Sequence, residues 1–266
     1  MNILNATTDV TLNTLGSITE STSEINRFYG SSHKEVANTY AFAALKDDGS
    51  VVTWGDSFSG GDSSSVANEL SSGVTQIFSN QYAFAALKEN GSVVTWGRSG
   101  YGGDSSSVTD ELSSGVSKIF SNKTAFAALK DDGSVITWGG EGWNKGGDSS
   151  SVADELSSGV SQIFSSQEAF AALKDDGSVI TWGYWDYGGD SDSVINDISS
   201  GVSQVFSTDF AFAALKDDGS VVTWGDAADG GDSTAVRAAL ASDVQLVAGT
   251  GGAFAAVKAD GSVVTW

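Results

Sequence analysis

The sequence predicts an all-β fold with short helices, in which three-stranded sheets are arranged as the blades of a β-propeller. Three observations support this prediction: a long repeat, a hairpin inside each copy, and strands that are apolar on both faces. A hairpin sequence close to AFAALKDDGSVVTWG recurs six times, at 41–55, 83–97, 125–139, 169–183, 211–225 and 253–266. Its period of 42 to 44 residues is typical of propellers and other repeat architectures.

Each copy of the hairpin contains two short apolar runs joined by a turn. In the first copy the runs are 42–45 and 51–54, and both are rich in residues that favour strands. The segment 46–50 between them reads Lys-Asp-Asp-Gly-Ser, which is typical of a tight turn with glycine at the position of positive φ. Because neither run alternates apolar with polar residues, we expect both faces of the hairpin to be buried.

The residues after each hairpin predict a loop, a short helix and a third strand. In the first copy Gly55 opens a variable loop that ends at the Gly-Gly-Asp of residues 60–62. Residues 63–70 predict one or two helical turns, capped by Asp62 or an adjacent serine and ended by the glycine that follows. Residues 74–79 then form a third strand, which leads into the next hairpin.

Sheets that are buried on both faces need a similar sheet on either side, and radial stacking supplies it. We therefore predict one propeller domain over 1–266, with six clear blades. Residues 1–33 are predicted to form a degenerate seventh blade that closes the ring, because 10–19 resemble a degenerate copy of the hairpin. A propeller of six blades is the alternative. Trp96 stands at a position that tryptophan fills in every copy, and we expect it to be buried between neighbouring blades.

The composition argues against several classes of function. Thirteen basic and 34 acidic residues give a net charge of −21, which argues against a nucleic-acid partner and an anionic membrane surface. The chain has no cysteine and a single histidine, His33, so that we expect no metal centre, no cofactor and no enzymatic activity. No signal peptide or membrane-spanning run is visible. The compartment stays open, with an extracellular or cell-surface location favoured.

The last copy, 244–266, resembles the repeat of the regulator-of-chromosome-condensation family. That repeat runs V-x-x-V-A-G-x-x-H-S-x-A-L-x-x-D-G-x-V-Y-x-W-G and continues to a glycine six residues after the tryptophan, a position matched here by Gly60, Gly102, Gly188 and Gly230. The resemblance covers roughly residues 34–266 and implies a seven-bladed propeller. The short blades are similar to those of compact bacterial members, such as the propeller-type β-lactamase inhibitory protein.

The chain departs from the family pattern just before the position of the family's serine. The histidine of the pattern is replaced in the six copies by Tyr40, Tyr82, Thr124, Glu168, Phe210 and Gly252. No stretch carries over guanine-nucleotide exchange, and we do not expect this activity.

Two stretches differ between the copies, while the rest of each hairpin barely changes. One is the three residues before AFAALK, and the other is the loop after Trp-Gly. Because the two ends of an antiparallel hairpin lie together, both stretches are expected at one edge of every blade. There they would form one variable face that is rich in aromatic residues. The candidate binding residues on this face are Tyr40, Phe58, Tyr82, Arg98, Tyr101, Lys123, Trp143, Lys145, Glu168, Tyr184, Trp185, Tyr187, Asp209 and Phe210.

The aromatic content of the variable face favours a binding function. Tyrosine, tryptophan and arginine are enriched at hot spots, which favours recognition of another protein, including inhibition of an enzyme, by a monomeric propeller. We expect Tyr101, Trp143, Trp185 and Tyr187 to be substantially exposed on the same side. Drift at weakly constrained loop positions is the alternative explanation of the variation. A carbohydrate-binding or adhesive propeller and a structural unit of a longer surface protein are the alternative functions.

Two recurring acidic patterns are interpreted as structural. The aspartate of each Gly-Gly-Asp, such as Asp62, is expected to cap the helix that follows rather than to bind calcium. The paired Asp47 and Asp48 recur at the turns of most copies, which favours turn formation over acid–base catalysis.

Overall fold

A computed structural model describes residues 35–142 and 145–266, which form six three-stranded antiparallel sheets. Each sheet consists of three strands that are consecutive in the chain, with the second strand in the middle. The strands of the first three sheets are β1 Glu35–Ala37, β2 Ala41–Leu45, β3 Val51–Gly55, β4 Val74–Ser79, β5 Ala83–Lys88, β6 Val93–Gly97, β7 Val116–Ser121, β8 Ala125–Lys130 and β9 Val135–Gly139. The strands of the last three are β10 Val160–Ser165, β11 Ala169–Lys174, β12 Val179–Gly183, β13 Val202–Ser207, β14 Ala211–Lys216, β15 Val221–Gly225, β16 Val244–Gly249, β17 Phe254–Lys258 and β18 Val263–Thr265.

Short helical turns connect the sheets. The one α-helix of the described residues, α1, is Ile195–Ile198. The 3-10 turns are Ser57–Ser59, Ser64–Val66, Glu69–Ser71, Ser99–Tyr101, Ser106–Val108, Ser150–Val152, Glu155–Ser157, Trp185–Tyr187, Asp192–Val194, Ala227–Asp229 and Thr234–Val236. In the part of the chain that the structure describes, no helix is long and apolar enough to cross a membrane.

The helical segment predicted over residues 63–70 is divided into two 3-10 turns, Ser64–Val66 and Glu69–Ser71. Serine competes with helix formation by bonding locally to the backbone, so that a run of serines gives short turns rather than a regular helix. The Asp62 carboxylate accepts a hydrogen bond from the N–H of Ser64 at 2.9 Å. The aspartate thus satisfies a backbone donor of the first turn, as the capping interpretation of Gly-Gly-Asp predicts.

The hairpins have the pairing that the repeat predicts. In the first sheet Ala41 lies opposite Gly55, and Leu45 lies opposite Val51. The N–H of Gly49 donates to the carbonyl of Lys46 at 3.0 Å, and Gly49 has a φ of +76°, which glycine adopts without strain. The strand predicted at 74–79, β4, pairs with β5 of the next hairpin and not with the hairpin that precedes it. Three-stranded sheets are thus confirmed, but each one combines the third strand of one copy with the hairpin of the next.

Consecutive sheets pack face to face through an aromatic pair and two alanines. Phe84 and Trp96 of the second sheet stack with ring centroids 5.2 Å apart and share a buried cluster with Ala41 and Ala43 of the first sheet. Trp96 is only 2% exposed, which confirms its predicted burial between sheets. Its indole N–H donates to the carbonyl of Gly60 at 3.0 Å. The loop after one sheet is thereby tied to the tryptophan of the next.

Gly60 has no room for a side chain in this interface. A Cβ atom there would lie 2.6 Å from a ring carbon of Phe84, and the residue has a φ of +95°. The same indole-to-carbonyl hydrogen bond recurs at 3.0–3.1 Å in the later sheets, from Trp138 to Gly102, Trp182 to Gly146, Trp224 to Gly188 and Trp266 to Gly230. The glycine that ends each loop, six residues after the tryptophan in four copies and eight residues after Trp138, is therefore a packing position.

The predicted seventh blade and the closure of a ring both depend on residues 1–33, which lie outside the described residues. Within the described part, the first sheet differs from those that follow it. Trp54 is 45% exposed and Phe42 is exposed beside it, although the two rings stack at 5.4 Å like the other aromatic pairs. The structure thus gives six stacked sheets, of which the first has an uncovered aromatic face.

We expect Trp96→Ala to lower the free energy of unfolding by about 3–5 kcal/mol, because it removes a buried aromatic side chain and leaves a cavity. Urea denaturation at high dilution would measure this loss. Trp54→Ala is the matched control, since Trp54 fills the same position of the repeat but is largely exposed. It should cost clearly less, and equal losses would contradict the stacking described here.

The hairpin turns predict a defined dependence of stability on pH. A hydrogen bond from the serine hydroxyl, and a second from its N–H, lower the pKa of the turn aspartate in five copies, at Asp48, Asp132, Asp176, Asp218 and Asp260. A carboxyl whose pKa is lower in the folded state stabilises the fold at neutral pH. That contribution is lost as the pH falls below about 4 and through the folded pKa.

Asn90 provides a natural control for this effect. It takes the place of the turn aspartate in the second sheet and accepts the same two hydrogen bonds from Ser92, at 3.0 and 2.7 Å, without titrating. Changing the five turn aspartates to asparagine should therefore reduce the loss of stability between neutral pH and about pH 3, measured as the shift of the urea midpoint. Asn90→Asp should increase it. An unchanged acid response in both variants would show that the turn carboxylates do not contribute.

Candidate functional site: the variable face

The two stretches that vary between copies are joined by a backbone hydrogen bond in each of the first five sheets. The first residue after Trp-Gly donates its N–H to the carbonyl of the residue just before the middle strand. The five pairs, at 2.9–3.0 Å, are Asp56 to Tyr40, Arg98 to Tyr82, Gly140 to Thr124, Tyr184 to Glu168 and Asp226 to Phe210. The prediction that both stretches lie at one edge of each sheet is confirmed for these sheets, and this edge is the variable face.

A buried polar side chain supports the variable face in every one of these sheets. In the first sheet the amide of Asn38 donates to the carbonyl of Ser59 at 2.6 Å, and its oxygen accepts from the N–H of Ala41 at 2.8 Å. The equivalent residues Asn80, Asn122, Ser166 and Thr208 bond to the carbonyls of Tyr101, Lys145, Tyr187 and Asp229. Although the residue at this position differs between the copies, it has a constant structural role.

The second of the three residues before each middle strand links successive sheets through main-chain hydrogen bonds. The N–H of Gln81 donates to the carbonyl of Lys123 at 3.1 Å, and that of Lys123 donates to the carbonyl of Gln167 at 2.8 Å. The Lys123 side chain is exposed, whereas Asp209 is half-buried and accepts from the Gln167 amide at 3.2 Å. The main chain at this position thus has a structural role, while its side chain varies between the sheets.

The first group of candidate residues forms a tyrosine cluster made of Tyr40, Tyr82, Arg98 and Tyr101. The rings of Tyr40 and Tyr82 stack at 5.4 Å, and Tyr101 meets the edge of Tyr82 at 4.5 Å. The exposed guanidinium of Arg98 lies 5.3 Å from the Tyr82 centroid and 5.1 Å from that of Tyr101, which is within the range of a cation–π contact. Stacking and the cation thus hold four flexible side chains in one surface.

An open groove of about 700 Å³ lies beside the tyrosine cluster. The residues along its walls include Tyr40, Asp56, Phe58, Asp62, Tyr82 and Arg98. Phe58 is 82% exposed, so its ring is available to a partner rather than used in the core. The groove therefore combines aromatic surface with charges of both signs.

The second group of candidate residues forms a tryptophan cluster made of Tyr184, Trp185, Tyr187 and Phe210. Tyr187 contacts the edges of Tyr184 at 4.9 Å and Phe210 at 4.7 Å, and Tyr184 lies 5.9 Å from Trp185. Trp185 is 63% exposed, at the first position of its 3-10 turn. An ion pair between Lys145 and Glu168, at 3.1 Å, joins the neighbouring loops.

Carboxylates lie near one tyrosine of each cluster. A hydrogen bond with the Tyr82 hydroxyl raises the pKa of Tyr40, and the nearby Asp56 adds to the effect. Burial raises the pKa of Tyr187, and Glu168 and the other carboxylates around it raise it further. Carboxylates thus raise the pKa of one tyrosine in each cluster, while the Arg98 guanidinium lies over the rings of Tyr82 and Tyr101 in the first cluster.

The structure corrects two of the predicted exposures. Tyr101 and Tyr187 are half-buried and pack against the core clusters between sheets. Each is the last residue of a 3-10 turn, and its ring lies against the next sheet. Trp185 is exposed as expected, and Trp143 lies outside the described residues. Phe58 and Tyr40 are the other large exposed aromatic residues of the face.

The described residues contain no group of three or more acidic or histidine side chains placed to hold a metal ion. In the same residues, every buried polar side-chain atom has a hydrogen-bond partner. The polar groups inside the sheets are thus used by the fold, and the distinctive chemistry lies in the exposed rings and charges of the variable face.

Neither a protein-family model nor a curated protein sequence matches the chain. Its structure is similar to propellers of the regulator-of-chromosome-condensation type and to the ectodomains of two receptor kinases. Human WBSCR16 has a TM-score of 0.49 and 16% identity, over 89% of this chain and 77% of that one. Yeast RCC1 (Prp20), solved with Kap60, has a TM-score of 0.45 and 17% identity, over 87% and 69%. The CR4 receptor kinase ectodomain of Physcomitrella patens has a TM-score of 0.45 and 12% identity; the match covers 87% of this chain but 60% of the ectodomain.

We expect the exposed and half-buried aromatic residues to differ in their effect on stability. Phe58→Ala and Trp185→Ala should leave the free energy of unfolding within about 0.5 kcal/mol, as exposed substitutions usually do. Tyr187→Ala should cost about 1–3 kcal/mol, because its ring packs on a buried cluster. Urea denaturation of the three variants would test this order, and a large loss for Trp185→Ala would place that ring in the core.

Proposed function

We propose that the chain is a non-catalytic binding protein that recognises another protein through its variable face. The observation that supports this most is the exposure of Phe58 and Trp185, each beside a preformed cluster of rings, on sheets whose other surfaces repeat. Rigid aromatic side chains give large contact area at a low cost in conformational entropy. The repeated framework holds the backbone of the loops that carry them, which limits the ordering that accompanies binding.

The charge of the face argues for a partner with a basic surface. Asp56 and Asp62 line the groove at Phe58, and Glu168 and Asp186 lie near the rings of the tryptophan cluster. The whole chain carries a net charge of −21, which would steer a basic partner and repel an acidic one. Affinity should therefore fall as the salt concentration rises.

The proposal is tested by immobilising the chain and capturing partners from native lysate or culture medium, followed by affinity measurements with the purified partner. Trp185→Ala is expected to weaken binding by about 2 kcal/mol, or roughly thirty-fold, if Trp185 is a hot spot. Phe58→Ala should act in the same way if the partner reaches the groove. The measurement is an equilibrium titration with each purified variant.

Ile195→Ala is the matched control for this experiment. Ile195 is an exposed apolar residue of α1, and the carbonyl of Asp197 in that helix accepts from Lys216, beside the hairpin turn of the next sheet. The helix thus lies toward the edge opposite the variable face. If Ile195→Ala weakens binding as much as Trp185→Ala, the partner does not bind where we propose.

A carbohydrate ligand is the second candidate. The observation that favours it is the broad exposed indole of Trp185 beside the ring of Tyr184, which offers a flat surface to a sugar ring. A glycan array run with the wild type and Trp185→Ala separates the two candidates. Glycan binding that is lost in Trp185→Ala, without capture of a protein, would replace protein recognition as the function.

A further inference from the structure

The two ends of the described stack have complementary uncovered faces. Between neighbouring sheets, one sheet contributes a small-residue face, such as Ala83 and Ala85, and the next contributes an aromatic face, such as Phe126 and Trp138. This interface occurs five times within the described residues. In the first sheet the aromatic face is uncovered, and in the last sheet the small-residue face is uncovered.

The exposure of equivalent residues shows this directly. On the first sheet Phe42, Val52 and Trp54 are exposed, whereas Phe84 and Trp96 at the equivalent positions are buried. On the last sheet Ala253 and Val263 are exposed, the latter by 61%, and Ala255 is half-buried. The equivalent Ala211 and Ala213 are fully buried. The first sheet thus has an uncovered aromatic face, and the last sheet has an uncovered small-residue face.

The uncovered faces have not become polar, which is what an end exposed to water requires. Terminal repeats of stacked proteins normally carry a polar outer face. Here the first sheet keeps Phe42 and Trp54. The last sheet has Leu246, exposed, at the position that is polar in the four preceding sheets; those residues are Gln76, Lys118, Gln162 and Gln204. Those four residues are exposed or half-buried although a following sheet covers their own sheet, so Leu246 adds apolar surface at a position that stays accessible when the face is covered.

We propose that the small-residue face of the last sheet of one copy binds the aromatic face of the first sheet of a second copy. Within one described molecule the two faces are exposed at the same time, so that they do not cover each other. The template for the contact is the interface that the chain already makes five times between its own sheets. Because the two faces differ, the association is head-to-tail, and each copy has one site of each kind. This inference does not depend on the function of the variable face.

The head-to-tail geometry is tested by blocking one face at a time. Phe42→Asp places a charge on the aromatic face, and Ala255→Arg places a large charged side chain on the small-residue face. We expect the wild type to associate as its concentration rises in sedimentation velocity, and each variant alone to be monomeric or to associate at least about thirty-fold more weakly. An equimolar mixture of the two variants should form 1:1 dimers and nothing larger, because one intact face of each kind remains.

Two controls make the result decisive. Ile195→Asp adds a charge to an exposed apolar residue of α1 and should leave the association unchanged, while circular dichroism and thermal unfolding confirm that all variants fold. With a net charge of −21 on each copy, association through apolar faces should strengthen as salt screens the repulsion. A wild type that stays monomeric, a mixture that forms no dimers, or an assembly that weakens with salt would each overturn the proposal.

Discussion

The stack of a phenylalanine and a tryptophan on two alanines of the preceding sheet determines how all the sheets pack. The rings of these pairs lie 5.2–5.5 Å apart, and alanines such as Ala83 and Ala85 are fully buried against them. Interiors are close-packed, so a larger side chain at either alanine would separate the sheets. The indole hydrogen bond to the glycine at the end of the preceding loop fixes the end of each loop as well. Only the middle of the loop is left free to change.

This constraint explains why the variable face can diverge without loss of the fold. Each loop is held at its start by a backbone hydrogen bond and at its end by the glycine, and a buried side chain such as Asn38 or Thr208 ties it to the strand. The residues between these points contribute little to the packing of the sheets, except where a ring such as Tyr187 returns to the core. Stability and recognition are thereby carried by different positions of the same repeat.

Much of the fold could be predicted from the sequence, because the same turn and strand signals recur in six copies of the repeat. The hairpin turn, the third strand and the burial of Trp96 follow from turn chemistry and apolar runs. The role of Asn38 and its equivalents was missed because Asn, Ser and Thr were counted as divergence, although all three accept and donate the same hydrogen bonds. The signal was present, since all six copies have one of these residues there. The half-burial of Tyr101 depends instead on where its turn directs the ring, which the loop sequence alone does not specify.

A repeat also hides what differs between its copies. Trp54 and Trp96 both lie in the sequence VVTWG, yet only Trp96 is buried. Burial depends on whether a neighbouring sheet packs on the ring and not on the local sequence. In a stack of equivalent interfaces each sheet packs its small-residue face on the next sheet and its aromatic face on the preceding one. An open stack of any length therefore has one uncovered aromatic face at its first sheet and one uncovered small-residue face at its last. Closing a ring, adding a polar end or binding a further sheet are the ways to satisfy them. Neither end of the described stack is polar, since Phe42 is exposed on the first sheet and Val263 is exposed on the last. This argues against the second way, because neither end has acquired the surface that would let it face water, and it is the observation on which the proposed contact between copies depends.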